Sequence, residues 1–223
     1  MKKNLFLLVI LCFFHTIALA QDRKKEIQAR LGWGLGGYRS LTTATYNVLG
    51  AQIEESDTSG AAARHLNFDL RYEFTRRIAI GLDTKFGSYL YDANEDNTGK
   101  SNGYAIFGIR AEFMVVDRPK FRWYLGAGFH TAGLVIEERD QGAFSVDNKA
   151  EYRGGGVKLN TGLIKYFGDS PVGIHFNVGY DAYNLSMESF TVNGDDVDLS
   201  NYDGNLELDG VDISLGLIFR IRP

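Results

Sequence analysis

Residues 65–90 read HLNFDLRYEFTRRIAIGLDTKFGSYL, and the fold turns on them. Leu66, Phe68, Leu70, Tyr72 and Phe74 alternate with His65, Asn67, Asp69, Arg71 and Glu73. After Thr75-Arg76-Arg77 the alternation restarts, with Ile78, Ile80, Leu82 and Phe86 against Ala79, Gly81, Asp83, Lys85 and Gly87. A strand sends successive side chains to opposite faces, so this is a hairpin with one apolar face and one face of glycine and both signs of charge. Each run is close to the ~9–11 residues that a tilted strand needs to cross a bilayer.

The same pattern recurs on either side. Ile27, Ala29, Leu31, Trp33 and Leu35 alternate with Gln28, Arg30, Gly32, Gly34 and Gly36. Further strands are expected over 103–116, 121–136, 155–167, 172–180 and 211–221, the third of these less regular because Lys165 falls on its apolar phase. Polar segments at 39–62, 92–102, 137–153 and 186–205 alternate with short turns at 75–77, 117–120 and 168–171. Eight strands joined alternately by long and short connections form an up-and-down meander. Closing it into an antiparallel barrel removes the open edges.

The alternation fits a soluble lipocalin-like barrel with its apolar face inward, or a membrane barrel with that face outward. Glycine favours the second. Gly32, Gly34, Gly36, Gly81, Gly87, Gly108, Gly126, Gly128, Gly162, Gly179 and Gly216 share the polar phase, where a water-facing strand gains nothing from them. In a narrow lumen they make room for Arg30, Asp69, Arg71, Glu73, Asp83, Lys85, Arg110, Glu112, Lys158, Asp181, Asp212 and Arg220. Aromatic residues gather at both strand ends, as at two bilayer interfaces: Tyr72, Phe74, Phe113, Trp123 and Phe219 at one, Phe86, Tyr180 and Phe190 at the other.

Residues 1–20 read as a cleaved signal peptide, with Lys2-Lys3, an apolar run over 5–14 and Ala18-Leu19-Ala20 before Gln21. Residues 21–223 are then a single barrel domain. The one cysteine, Cys12, leaves with the leader, so the exported chain has no disulfide. Of 24 Lys and Arg, Lys2 and Lys3 leave too; 22 then face 28 acidic residues, a net charge of about −6 that argues against nucleic acid as a partner.

A signal peptide, eight alternating strands, short turns at one end, long loops at the other and an apolar last strand resemble the small outer-membrane β-barrels of Gram-negative bacteria, those like OmpX and the OmpA transmembrane domain. The resemblance covers 21–223. It implies an outer-membrane location, short turns in the periplasm, long loops outside, contact with outer-membrane lipid, insertion by the barrel-assembly machinery and a monomeric state. Members of that family usually end in an aromatic residue read by this machinery. Here Phe219 is followed by Arg220-Ile221-Arg222-Pro223, with Phe219 and Ile221 in phase.

Several motifs look like chemistry. Residues 32–37 match G-x-G-x-x-G but lie within a strand pattern, whereas a dinucleotide site needs a strand-to-helix turn. Residues 99–103 match G-x-S-x-G but sit in a polar loop. His65, His130 and His175 share the inward phase at different heights, which disfavours one metal site. Asp196, Asp198, Ser200 and Glu207 fall at calcium-loop spacings, but Asn201 stands where the sharp turn needs glycine; the stretch reads as a solvated acidic loop with weak divalent-cation binding as the alternative. Ser88, His65 and Glu54 are the residues a lipid-modifying enzyme would have to bring together, and nothing in their spacing supports it. The expectation is a non-enzymatic barrel without cofactor, catalytic residues or resident metal, acting structurally, in adhesion or in binding through long outer loops. Its lumen is expected to be plugged by charge, with Asp69 beside Asp83 and Arg71, Lys85 and Arg110 as their cations, so that a narrow porin is the weaker reading.

Overall fold

The computed structural model describes residues 26–48, 51–90, 98–140, 147–200 and 202–221, in strands, turns and short connections. Nine strands follow in chain order: β1 (Glu26–Val48), β2 (Ala51–Glu73), β3 (Ile78–Leu90), β4 (Thr98–Arg118), β5 (Phe121–Asp140), β6 (Asp147–Tyr166), β7 (Val172–Val192), β8 (Asp195–Asp196) and β9 (Tyr202–Ile221). Each long strand pairs antiparallel with its neighbours, and β9 pairs with both β7 and β1, so eight strands close a ring. The ninth, β8, is a two-residue strand folded back on β7 by Asn193 and Gly194, both at positive φ. Residues 1–20, expected as a signal peptide, and Asn97, Gly142 and Arg222 lie outside the described residues.

The registers fix the barrel's shape. Gly32 pairs with Asn67, and the row continues through Lys85, Ile106, Ala132, Gly154, Leu185 and Leu206. Leu206 pairs not with Gly32 but with Thr42, ten residues further along β1. That stagger is the shear that closing a sheet requires, and it tilts the strands to ~35–45° from the barrel axis.

The apolar phase faces outward. Phe129 is 78% exposed and Phe86 59%, while Arg30 and Arg71, on the opposite phase, are 1% and 0% exposed. The soluble barrel is thereby excluded, since it would put the whole set of large apolar side chains on this face in water. Outward apolar residues fill 27–35 on β1, 66–74 on β2 and its turn, 78–86 on β3, 105–115 on β4, 121–129 on β5, 157–167 on β6 and its turn, 172–180 on β7 and 211–221 on β9. These spans form one continuous band of the length expected for tilted strands in a bilayer. Among the described residues no helix is long and apolar enough to cross a membrane, which says nothing of a barrel, since a barrel crosses with strands. Lys165 stays on the outward phase, exposed beside Phe167 at the band's lower edge, where its long stem lets the charge reach the interface.

Beyond the band the strands do not stop. The segments 39–62, 137–153 and 186–205, expected as loops, are largely strand; β1 and β2 remain paired up to Val48 and Ala51. Above the membrane both faces of a strand meet water or a new interior, so side-chain polarity no longer marks where the ladder ends. The inside–outside sense also reverses there. Tyr38, Tyr104, Leu134, Tyr152, Tyr183, Leu185, Leu206 and Leu208 pack inward in one cluster, while Arg39, Arg64, Arg153, Asn184 and Glu207 face out.

The short turns are local. Thr75 Oγ1 accepts hydrogen bonds from the backbone N–H of Arg77 and Ile78 at 3.1 and 3.0 Å, and Gly168 takes φ +62° between β6 and β7.

The depth of the band makes a mutational prediction. Leu70→Arg should destabilise insertion by roughly 2–4 kcal/mol, the cost of arginine near a bilayer midplane, and Thr58→Arg, above the band, by far less. Equilibrium folding into lipid vesicles with denaturant measures both; equal costs would misplace the band.

Candidate functional site

The inward phase within the band builds the most conspicuous polar structure in the molecule. It is stacked in layers. At the short-turn end Arg122 meets Glu73 at 2.5 Å, Asp117 at 3.1 Å and Glu26 at 3.3 Å. Gln28 donates to Glu73 and Glu26. The ring of Tyr166 lies under two guanidiniums, those of Arg220 at 4.1 Å and Arg122 at 5.5 Å.

The middle layer balances three cations against three anions. Arg30 makes a two-pronged pair with Glu112, both contacts 2.7 Å, and sits 4.8 Å over Tyr124. Asp69 and Asp83 are directly opposite on β2 and β3. Arg110 spans them at 2.8 and 3.1 Å, and Arg71 lies at 3.4 and 3.6 Å. His130 Nε2 is 3.0 Å from Asp83. The expected carboxylate pair and two of its three cations are therefore in place.

Lys85 is the exception. It belongs to the layer above, 2.5 Å from Asp181 and 3.4 Å from Asp212, with Lys158 at 3.7 and 3.2 Å from the same two carboxylates. Strand tilt carries an inward side chain across the lumen to β7 and β9 rather than down its own strand. Arg122, next in sequence to the turn at 117–120, is nonetheless 1% exposed inside the barrel, because its strand begins at Phe121 and its phase is inward.

Glycine supplies the room. A Cβ on Gly34 would strike the His65 imidazole, and one on Gly179 would strike Asp212 and Lys158. Above the charges, Tyr38 donates to Asp181 at 3.2 Å, and its ring meets Tyr89 edge-on at 5.8 Å. Tyr89 in turn packs on Tyr104 at 5.0 Å. This tyrosine cap was not expected. Its signal is in β7, where the inward positions His175, Asn177, Gly179 and Asp181 give way in the same phase to Tyr183 and Leu185. Arg30, Arg71, Lys158, Tyr124 and Tyr166 are all buried, so side chains fill the lumen at their levels.

The other candidate residues are not gathered into sites. The three histidines stay apart, with His65 3.6 Å from Asp212. Residues 32–37 are strand within β1, and 99–103 are strand within β4. Asp198 accepts from the backbone N–H of Ser200 at 2.9 Å, and Glu207 is exposed on β9. Among the described residues no three His, Cys, Asp or Glu side chains are placed to hold a metal ion. Ser88 faces out, bonded to Arg64 at 3.2 Å; His65 faces in; Glu54 stands on the distal β1–β2 ribbon.

No family model and no curated protein matches the chain. Solved structures do. OprG from Pseudomonas aeruginosa superposes with a TM-score of 0.60 at 10% identity, over 90% of this chain and 98% of its own. A major outer membrane protein from Thermus thermophilus superposes with a TM-score of 0.51 at 9% identity, over 83% of this chain and 99% of its own. The fold is that of the small outer-membrane β-barrels. In this barrel the charge layers are the wall's inner lining.

Arg110→Ala should lower thermal stability much more than Arg76→Ala, which touches an exposed turn. Removing one member of a buried ion network costs about 3–5 kcal/mol because the carboxylates it served stay buried. Differential scanning calorimetry of the two variants in detergent reads the difference; equal losses would exclude Arg110 from a buried network.

Proposed function

We propose that this protein is a non-enzymatic outer-membrane barrel whose work is done outside the cell, by binding through the surface that its long hairpins raise above the membrane. The observation that carries this reading is the filling of the lumen by buried side chains. Charge layers fill it through the band, and tyrosines cap it above, so transport through the middle has no support. What projects is a ribbon, β1 and β2 paired up to Val48 and Ala51, with β9 alongside up to Tyr202 opposite Tyr46. Its residues include the carboxylates Glu54, Glu55, Asp57, Asp203 and Glu207, and Asp195, Asp196 and Asp198 follow on the neighbouring β7–β9 connection. A surface of one sign steers and selects ligands of the other, so the partner class is cationic. The enzyme alternative loses ground because Ser88 and His65 face opposite sides of one wall.

The distal chemistry is ordered. Lys149 and Glu151 form an exposed pair at 2.6 Å that raises the ammonium pKa and lowers the carboxyl one. Such a pair is worth little to stability, but it neutralises two charges in an otherwise acidic region.

Three measurements test the reading. Single cysteines at Ser56 and Asn193 should react with a membrane-impermeant thiol reagent on intact cells, and one at Asp169 should not; the reverse pattern inverts the topology. Planar bilayers carrying the protein should show little or no steady conductance, and a large one would favour a pore. A lysine-rich peptide should bind proteoliposomes at low salt, and the triple variant Glu54→Gln, Glu55→Gln, Asp57→Asn should bind it measurably less. Undiminished binding would move the ligand surface elsewhere.

A further inference from the structure

On the outer wall a groove of about 440 Å³ crosses β3 to β6 at the upper border of the apolar band. Two ladder rows make it. Phe86, Ala105, Gly133 and Arg153 stand in one row; Thr84, Phe107, Thr131 and Gly155 stand in the row below. The floor is the small residues Ala105, Thr131 and Gly133. Phe86 and Phe107 wall it, and both are more than half exposed. From Phe86 to Arg153 is three strand spacings, roughly 14 Å.

Arg153 lines the groove at one end, and Arg64 stands just beyond the other, on the strand next to Phe86 and one row higher. The Arg153 side chain is 69% exposed, and its carboxylate neighbour, Glu188, is 3.6 Å away and itself 52% exposed. An exposed pair that long holds its guanidinium weakly. Arg64 stands one row above Leu66, whose partner is Phe86. Its Nε donates to Ser88 Oγ at 3.2 Å, and it makes no ion pair among the described residues. Arg39, the third arginine at this height, differs: Asp209 accepts from two of its nitrogens at 2.9 and 2.8 Å and raises its pKa. Arg64 is thus free of carboxylates among the described residues, and Arg153 is held only by a long, exposed pair.

We propose that this groove binds a phosphorylated lipid of the outer leaflet, with an acyl chain over Ala105, Thr131 and Gly133 and its phosphate groups on Arg64 and Arg153. Below the groove the wall continues into the lipid-facing band, where exposed Ile109 pairs with exposed Phe129, so an occupant that reaches it from the membrane plane does so with an apolar end. The rim adds positive charge at the height where lipid phosphates lie, and guanidinium is the side-chain cation best matched to phosphate oxygens. A zwitterionic lipid offers the same chain but no net negative charge. This site lies below and apart from the acidic ribbon, so it stands or falls independently of the cationic-ligand reading.

Native mass spectrometry of the detergent-refolded protein tests it, with lipid A as the probe and phosphatidylcholine as the comparison. The wild-type barrel should retain lipid A and release phosphatidylcholine. The double variant Arg64→Gln, Arg153→Gln should lose about tenfold or more in lipid A affinity, the order expected for two basic residues at a charged lipid surface. Ala105→Phe, which fills the floor and leaves both arginines, should lose a similar amount, and Arg76→Gln, at the opposite end, should lose nothing. Wild-type affinity in either the double variant or Ala105→Phe overturns the site, as does equal retention of the two lipids. Heat-dependent gel migration confirms that each variant folds. Were the double variant not to fold, salt titration of wild-type binding decides: a lipid A affinity indifferent to salt overturns the role of the arginines.

Discussion

An arginine that faces the inside of an eight-stranded barrel has no water to fall back on. The lumen of such a barrel is only wide enough for side chains to fill. The inward cations of the middle and upper layers therefore meet anions that other strands supply at the same height, while Arg220, at the short-turn end, donates to the Pro119 and Ser170 carbonyls and lies over Tyr166. Arg30 of β1 finds Glu112 of β4, and Arg122 of β5 finds Glu73 of β2. These contacts are between non-neighbouring strands, so they are satisfied only when the ring is closed with its ten-residue stagger. The same demand explains the glycines. Long side chains from one wall need empty positions on the other, and Gly34 and Gly179 are where His65 and the Asp212–Lys158 pair take that space.

The wall itself passes through two solvents. Through the band lipid lies outside and charge inside; above it water lies outside and apolar rings inside. A single strand does both by changing which phase is apolar. On β9, Leu206 and Leu208 face in, whereas Val211, Ile213, Leu215 and Leu217 face out. The change occurs between Leu208 and Val211 with no break in the ladder. The membrane border is thus written into the phase of the hydrophobic pattern and needs no interruption of secondary structure.

That border explains what was legible in the chain and what was not. The hairpin of β2 and β3 read true in strand type, face and turn, because period-two alternation about a three-residue turn leaves one register. Asp69 beside Asp83 followed from counting outward from that turn. Lys85 did not, because its partners are set by tilt across the lumen, which no count along one hairpin contains. Arg122 is close to a turn in sequence, but its inward phase decides its burial. The tyrosine cap was hidden by treating each strand as having one apolar face from end to end. The polar stretches above the band looked like loops because alternation is a signature of unequal faces, and a ribbon wetted on both sides has none.

Charge inside a barrel is a costly way to fill space, and apolar side chains of equal volume would avoid the desolvation. They would also erase the difference between the two faces. A strand apolar on both phases could slip by one residue and expose either set to lipid at little cost, and a one-residue slip turns every side chain over. With Arg30, Arg71, Asp83 and Asp181 on one phase, the same slip would put charge into hydrocarbon on whichever strand moved. The network thus penalises wrong registers far more than it favours the right one. It also fills the lumen with side chains, so the polar chemistry that faces solvent lies on the outer wall and the distal ribbon.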